Sequence, residues 1–231
     1  MSSLHILSGG AAQGLVAQLR GTFFNEAGRG IEGSFGAVGA MRDKLLAGAP
    51  CDVLILTQAL IEQLSAEGHV ALGSARALGR VRTGIAVKSG EPKLSVATAA
   101  QLKAALRAAS AVYFPDPQKA TAGIHFMNVL RQLGLDHELA PRLRAFPNGN
   151  AAMQAMAQCG ERGVIGCTQI TEILYTQGVE LVAPLPKDFE LATVYVAAVA
   201  AKAEQPQAAA LLVDLLSGPG AAELRKAGGF E

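Results

Sequence analysis

Short apolar segments and helical apolar repeats alternate along almost the whole chain. Leu4 to Leu7 is an apolar run of strand length, and Leu15, Leu19 and Phe23 then recur at the spacing of one helix face. Two further pairs of this kind follow before Gly68, a glycine placed to end a helix. Such alternation predicts parallel strands joined by helices, because parallel strands need a long crossover connection.

A long β-rich segment at 77–88 separates this first series from a second one. We interpret it as a crossing between two lobes, since it is longer than a core strand needs. Helix and strand signals from 98 to 177 then predict a second α/β lobe, and apolar strands at 180–185 and 193–201 flank the return crossing. The prediction is an α/β fold of two doubly wound sheets joined by two crossing segments, with lobe one at 1–80 plus 190–231, lobe two at 81–189 and a ligand cleft between them.

The composition is that of a globular protein without a polyanionic partner. Half of the residues are hydrophobic and 17% are charged, which suits sheets covered by helices on both faces. The net charge is +1, and no run of Lys or Arg indicates nucleic acid or anionic lipid as a partner. Cys51, Cys159 and Cys167 stand far apart and form no zinc-site spacing with the histidines. We expect no metal, no cofactor and no membrane insertion.

The first residues lack the basic segment, apolar stretch and cleavage site of a secretory signal. We therefore expect a cytoplasmic protein, in which free thiols are also common. The alternative is a periplasmic protein whose signal was removed before this sequence begins.

Small and polar residues follow six of the predicted strands, at the points where helices begin. Ligands of open α/β sheets gather at the carboxyl ends of strands, where helix N-termini direct N–H groups at them. The candidate ligand-binding residues are Ser8, Gly9, Gly10, Ala11, Ala37, Val38, Thr57, Arg82, Thr121, Ala122, Gly123, Asn148, Asn150, Cys167 and Thr168. Each turn also has an ordinary structural interpretation, because Gly, Ser and Asn are common in turns and helix caps. Together the turns predict a small anionic ligand, and no glycine motif for a nucleotide accompanies them.

Two residues near these turns have reactive side chains. His125 lies in the first turn of a predicted helix and is the candidate for proton transfer if the protein is an enzyme, with packing or capping as the alternative. Cys167 ends a predicted strand and is either a nucleophile or proton carrier, or a buried structural thiol.

Several segments, in order and over nearly the whole chain, resemble the periplasmic molybdate-binding proteins of ABC importers. They are Leu4–Ala12 (LHILSGGAA), Phe35–Ala40 (FGAVGA), Gly48–Ile55 (GAPCDVLI), Asp116-Pro117 with Ala122-Gly123, Ala151–Met156 (AAMQAM) and Ala227–Glu231 (AGGFE). The resemblance implies the type II solute-binding protein fold, in which two lobes close around one small anion. It also implies an ABC importer as partner if this protein is exported.

The chain departs from this family where the family holds molybdate. Ala11 and Val38 stand where the family has serines, and Cys167 stands where it often has a tyrosine. Each hydroxyl lost from a buried oxyanion costs about 1–3 kcal/mol, so we expect an organic carboxylate rather than molybdate. The alternative is a cofactor-free isomerase of a small unsaturated carboxylate, because aconitate isomerase is similar to molybdate-binding proteins and allylic proton transfer needs only a base and carboxylate clamps.

Overall fold

The computed structural model describes residues 3–231, which form two compact units. The first unit comprises the chain up to Val81 together with Thr193–Glu231, and the second comprises Arg82–Ala192. The chain thus passes from one unit to the other twice, after residue 81 and after residue 192. The sequence analysis predicts these two passages after residues 80 and 189.

Strands and helices alternate as the apolar pattern predicts, which confirms the α/β class. The strands are β1 (Leu4–Gly9), β2 (Ile31–Gly36), β3 (Val53–Thr57), β4 (Arg76–Lys88), β5 (Val112–Pro115), β6 (Leu143–Phe146), β7 (Ile165–Gln169), β8 (Val179–Pro184) and β9 (Ala192–Val199). The helices are α1 (Gln13–Ala27), α2 (Val38–Leu46), α3 (Gln58–Ala66), α4 (Ala99–Ala108), α5 (Thr121–Leu133), α6 (Asp136–Leu139), α7 (Gly149–Gln158), α8 (Ile170–Tyr175), α9 (Pro206–Ser217) and α10 (Ala222–Ala227). Short 3-10 turns lie at Gly10–Ala12, Ala140–Arg142, Lys187–Phe189 and Pro219–Ala221.

The sheet of the first unit runs in the order β2-β1-β3-β9. β1 is parallel to β2 and β3, and β9 is antiparallel to β3. All five residues of β3 are buried, as expected of a continuous apolar strand that helices cover on both faces. Phe23 of α1 and Leu212 of α9 are fully buried in the same core, and the two helices pack against each other there.

In the second unit β4 pairs with β7 and β8, both antiparallel, and β5 lies parallel between β7 and β6. Two clusters of buried apolar side chains lie on its strands, one around Phe114 and Phe126 and one around Met153 and Met156. Gly166 of β7 makes room for the second cluster, since a Cβ there would lie 2.6 Å from the Met153 side chain.

Glycines end two of the longer helices. Gly28 after α1 and Gly134 after α5 have φ of 67° and 66°, the left-handed conformation that glycine adopts at little cost. Gly68 has φ of 79° just after α3, in the region where the sequence predicts the helix to stop. None of the helices among residues 3–231 combines the length and the apolar character that crossing a membrane requires.

Candidate functional site

The carboxyl ends of β1, β2 and β3 lie side by side in the first unit. Gly9 is the register partner of Gly36, and Thr57 is the partner of Tyr195 on β9. A helical element begins directly after each of these strands. The cap positions are Gly9 for the 3-10 turn that leads into α1, Ala37 for α2 and Thr57 for α3. None of these three residues caps its helix with a side chain. The first-turn N–H groups therefore have no side-chain acceptor from the cap position, which leaves them suited to an anion.

Two helices, α4 and α7, do carry side-chain caps. Thr98 and Gln101 form a reciprocal capping box at the start of α4, with both hydrogen bonds at 3.2 Å. Asn148 Oδ1 accepts the N–H of Ala151 at 2.9 Å at the start of α7. At α4 and α7 a side-chain oxygen thus already accepts a first-turn N–H group, whereas no side chain does so at the starts of α2 and α3.

Small and apolar side chains surround the strand ends of the first unit. A Cβ on Gly9 would lie 2.8 Å from Val38 Cγ1 and 3.0 Å from the Tyr195 ring, so the backbone approaches closely there. Ala11 is 3% exposed, and the buried Ser8 hydroxyl donates to the Gly9 carbonyl at 2.9 Å. The hydroxyl that the sequence offered to a ligand is therefore bound within its own strand. Gly10, in the 3-10 turn, is buried as well.

In the second unit, α5 starts against the end of β5. A Cβ on Gly123 would lie 2.3 Å from the carbonyl oxygens of Pro115 and Asp116, so only glycine allows this contact. The cap residue Ala120 offers no side-chain acceptor, and Thr121 and Ala122 follow it in the first turn. This helix start is the counterpart, in the second unit, of the uncapped starts in the first.

His125 contacts the loop that precedes β9. Its Nε2 lies 2.7 Å from the carbonyl oxygen of Phe189. Because a carbonyl only accepts hydrogen bonds, Nε2 carries the hydrogen, and Nδ1 is the ring atom left to take up a proton. His125 therefore makes a packing contact, which is the role that the sequence analysis gives as the alternative to proton transfer.

The start of α7 is filled by the protein's own carboxylate. Backbone N–H groups of Gly149, Asn150 and Gln169 donate to Glu172, and Thr168 Oγ1 donates to Glu172 Oε2 at 2.5 Å. Burial raises the pKa of Glu172 to about 7, although these hydrogen bonds act in the opposite direction.

The sequence placed ligand-binding residues here, at Asn148, Asn150 and Thr168. The structure surrounds Glu172 with Asn150 and Thr168, while the Asn148 side chain caps α7, so a carboxyl group of the protein stands where a ligand was predicted. Sequence analysis missed Glu172. The available signal was its spacing of four residues from Thr168, across the junction between β7 and α8.

Cys167 does not end its strand, and this part of the sequence prediction is wrong. β7 continues to Gln169, and Cys167 lies opposite Ile85 in the apolar core of the second unit. Burial raises the pKa of the Cys167 thiol far above its ordinary range, so the thiol stays protonated. The carboxyl end of β7 is occupied instead by Gln169, which sequence analysis did not single out by its side chain.

Arg82 lies in β4, next to Thr83. Because neighbouring residues of a strand point to opposite faces, Arg82 projects from the face opposite to that of Thr83. Thr83 is the register partner of Gln169, so the Arg82 guanidinium and the Gln169 side chain belong to opposite faces of this sheet.

Cavities within the two units lie at the other ends of the strands. One of about 550 Å³ in the second unit is lined by residues that include Val87, Leu94 and Gly163, close to the amino ends of β5 and β7. One of about 320 Å³ in the first unit is lined by residues that include His5 and Asp52, close to the amino ends of β1 and β3. No group of three or more His, Cys, Asp or Glu side chains in the described range is arranged to hold a metal ion.

The sequence is similar to known proteins along almost its whole length. The model of the bacterial extracellular solute-binding protein family matches residues 4–231. Aconitate isomerase from a Pseudomonas species is 25% identical over an alignment of 231 positions, and the alignment covers 96% of this chain and 85% of that protein.

Solved structures of similar fold include two anion-binding proteins. The periplasmic molybdate-binding protein of Azotobacter vinelandii has a TM-score of 0.80 at 21% identity, with 99% of each chain covered. The sulfate-binding protein SubI of Mycobacterium tuberculosis has a TM-score of 0.75 at 17% identity, with 100% of this chain and 86% of that chain covered. At these identities the structures establish the fold. The match over almost the entire sequence shows that the chain belongs to the bacterial extracellular solute-binding protein family.

Proposed function

We propose that the protein binds a small organic carboxylate at the helix starts that follow β1, β2, β3 and β5. The observation that carries this proposal is that these four helix starts directly follow the carboxyl ends of strands and have no side-chain cap. Helix N-termini present N–H donors and the positive end of the helix dipole, which favours a negative group. That a single ligand is held by both units at once stays a prediction from the sequence.

A carboxylate fits the surroundings better than a tetrahedral oxyanion does. Ala11 and Val38 are buried and bring no hydroxyl, and the Ser8 hydroxyl is bound within β1. In the first unit, a doubly charged oxyanion would therefore depend on backbone N–H groups and on the single hydroxyl of Thr57. Buried charges need several donors to offset the loss of water, so these residues favour a ligand whose charge is spread over separate carboxylates.

Thermal unfolding in the presence of candidate ligands tests this proposal. We expect a di- or tricarboxylate to raise the unfolding midpoint, because a ligand at about 100 times its Kd adds about 2.7 kcal/mol to the stability of the folded state. For a chain of this length that corresponds to a rise of about 5–10 °C. Molybdate and sulfate serve as matched anions. Stabilisation by either of them, with none from any carboxylate, would contradict the proposed ligand class.

The second candidate function is isomerisation of a small unsaturated carboxylate. It is favoured by the similarity to aconitate isomerase along almost the whole chain. His125 is the proposed proton-transfer group, acting through Nδ1 because Nε2 donates to the Phe189 carbonyl. In the binding role, an exported protein would serve an importer, and a cytoplasmic protein would sense the same anion.

Incubation with cis- or trans-aconitate decides between the two functions. If the protein is an isomerase, it interconverts the two acids, and His125→Ala lowers the rate by about 100-fold or more, the usual contribution of a general base. His137→Ala is the matched control, because the His137 side chain is fully exposed on α6. No interconversion by the parent protein excludes the isomerase function, and equal rates for both variants exclude His125 as the base.

A further inference from the structure

Two polar side chains stand next to each other at the end of β7. Thr83 on β4 is the register partner of Gln169. The Thr83 N–H donates to the Leu191 carbonyl at 3.1 Å, and the Thr83 carbonyl accepts from the Leu185 N–H at 3.0 Å. Both backbone groups of Thr83 thus point away from β7. Thr83 and Gln169 are therefore a non-hydrogen-bonded antiparallel pair, the kind whose side chains lie closest together.

These side chains are buried and have no hydrogen-bond partner among the described residues. Thr83 is 1% exposed and Gln169 is 3% exposed. The Thr83 hydroxyl, both polar atoms of the Gln169 amide and the hydroxyl of nearby Thr171 are all unpaired. Buried polar groups in native proteins are nearly always paired, so a cluster of unpaired ones indicates a binding partner outside the chain.

The end of β7 is held rigidly by its surroundings. The backbone N–H of Gln169 donates to the buried carboxylate of Glu172, to which the hydroxyl of Thr168 also donates. The Gln169 side chain therefore extends from a fixed backbone position. A side chain on a fixed backbone loses less conformational entropy on binding a ligand than one on a mobile segment does.

The amide of Gln169 determines which ligand group would satisfy it. Its Nε2 donates, and its Oε1 accepts. The hydroxyls of Thr83 and Thr171 do not donate to Oε1 in the structure. A carboxylate, molybdate or sulfate oxygen only accepts, so it pairs with Nε2 or with the Thr83 hydroxyl and leaves Oε1 unsatisfied. A hydroxyl next to a carboxylate supplies the missing donor.

We propose that Thr83 and Gln169 form a ligand subsite that selects hydroxycarboxylates, with Gln169 Oε1 accepting the ligand hydroxyl and Gln169 Nε2 donating to its carboxylate. The proposal rests on the proposed carboxylate-binding function and names the class of carboxylate. This subsite needs no charged side chain of its own, because α5 begins after β5, the strand next to β7, and its helix start favours a negative group.

Titration calorimetry with pairs of acids that differ by one hydroxyl tests the subsite. The probes are malate against succinate and citrate against tricarballylate. We expect the parent protein to bind the hydroxy acid of at least one pair about tenfold more tightly, the effect of pairing one otherwise unsatisfied buried group. Gln169→Leu should reduce this preference to less than about threefold, and Thr83→Val should weaken binding of both acids of the pair.

Two controls separate recognition from folding. Gln154→Leu, at an exposed position of α7, should keep the full preference for the hydroxy acid. Ligand-free Gln169→Leu should be at least as stable as the parent, because it removes an unpaired buried amide. A lower unfolding midpoint together with an unchanged preference would assign Gln169 to the fold and overturn the subsite.

The outcomes for the parent protein distinguish the two proposals. Equal binding of the hydroxy and plain acids overturns the subsite and leaves carboxylate binding in place. Binding of no carboxylate at all overturns the proposed function, and the subsite with it.

Discussion

Gly149→Ala is expected to lower the free energy of unfolding by about 3 kcal/mol, the upper range for overpacking a rigid core. A Cβ at this position would lie 1.9 Å from Glu172 Oε2 and 2.0 Å from Thr168 Oγ1. Both atoms belong to the hydrogen-bonded group at the start of α7, so neither moves without breaking its bonds. Urea unfolding followed by circular dichroism measures the change.

Gly21→Ala is the matched control for this substitution. Gly21 lies within α1, is exposed, and has no atom within 4 Å of the position of an added Cβ. Alanine is favoured over glycine in a helix interior by about 0.5–1 kcal/mol, so this variant should be slightly more stable than the parent. Equal, small effects of the two substitutions would show that Glu172 and Thr168 do not pack on Gly149 as described.

The stability of the protein is expected to fall as the pH rises from about 5 to about 8, through the titration of Glu172. Burial raises the pKa of this carboxyl from 4.5 to about 7 in the folded state. The folded state therefore holds a proton that the unfolded state releases between these values, and deprotonation costs stability as the pH passes through 7. The shift corresponds to about 3 kcal/mol.

Glu172→Gln should remove most of this pH dependence. Glutamine resembles the protonated carboxyl, since its Nε2 can donate to Thr168 Oγ1 while its Oε1 accepts the backbone N–H groups. We expect the variant to keep at pH 8 the stability that the parent has near pH 5, measured as urea unfolding across this range. Glu62→Gln, at an exposed position of α3, is the control. Parallel curves for the parent and Glu172→Gln would refute the assignment to Glu172.

Much of the fold follows from local sequence patterns. The apolar run of β3 and the helical spacing of Leu15, Leu19 and Phe23 specify their elements without reference to the rest of the chain. Helix α6 was not predicted from the sequence. The single turn of α6, Asp136–Leu139, is too short to show a helical period.

The candidate site was only partly accessible from the sequence. The turns after β1, β2, β3 and β5 were recognised, because small residues between a strand and a helix are a local signal. The buried, unpaired amide of Gln169 was not predicted, since a polar residue at a strand end is ordinary until its neighbours are known. Gln169 stands out only beside Thr83. The two residues are far apart in sequence and become neighbours through the pairing of β4 with β7.

The sequence by itself determined the α/β class and the resemblance to a solute-binding family, and it gave the prediction of a small anionic ligand. These depend on residue spacing and on the chemistry of helix starts, both of which are local. Only the tertiary structure decided that the start of α7 is filled by Glu172, that Cys167 lies in the core, and that Thr83 and Gln169 are buried together. The reason is that burial and hydrogen-bond satisfaction depend on which distant segments meet, which no local pattern specifies.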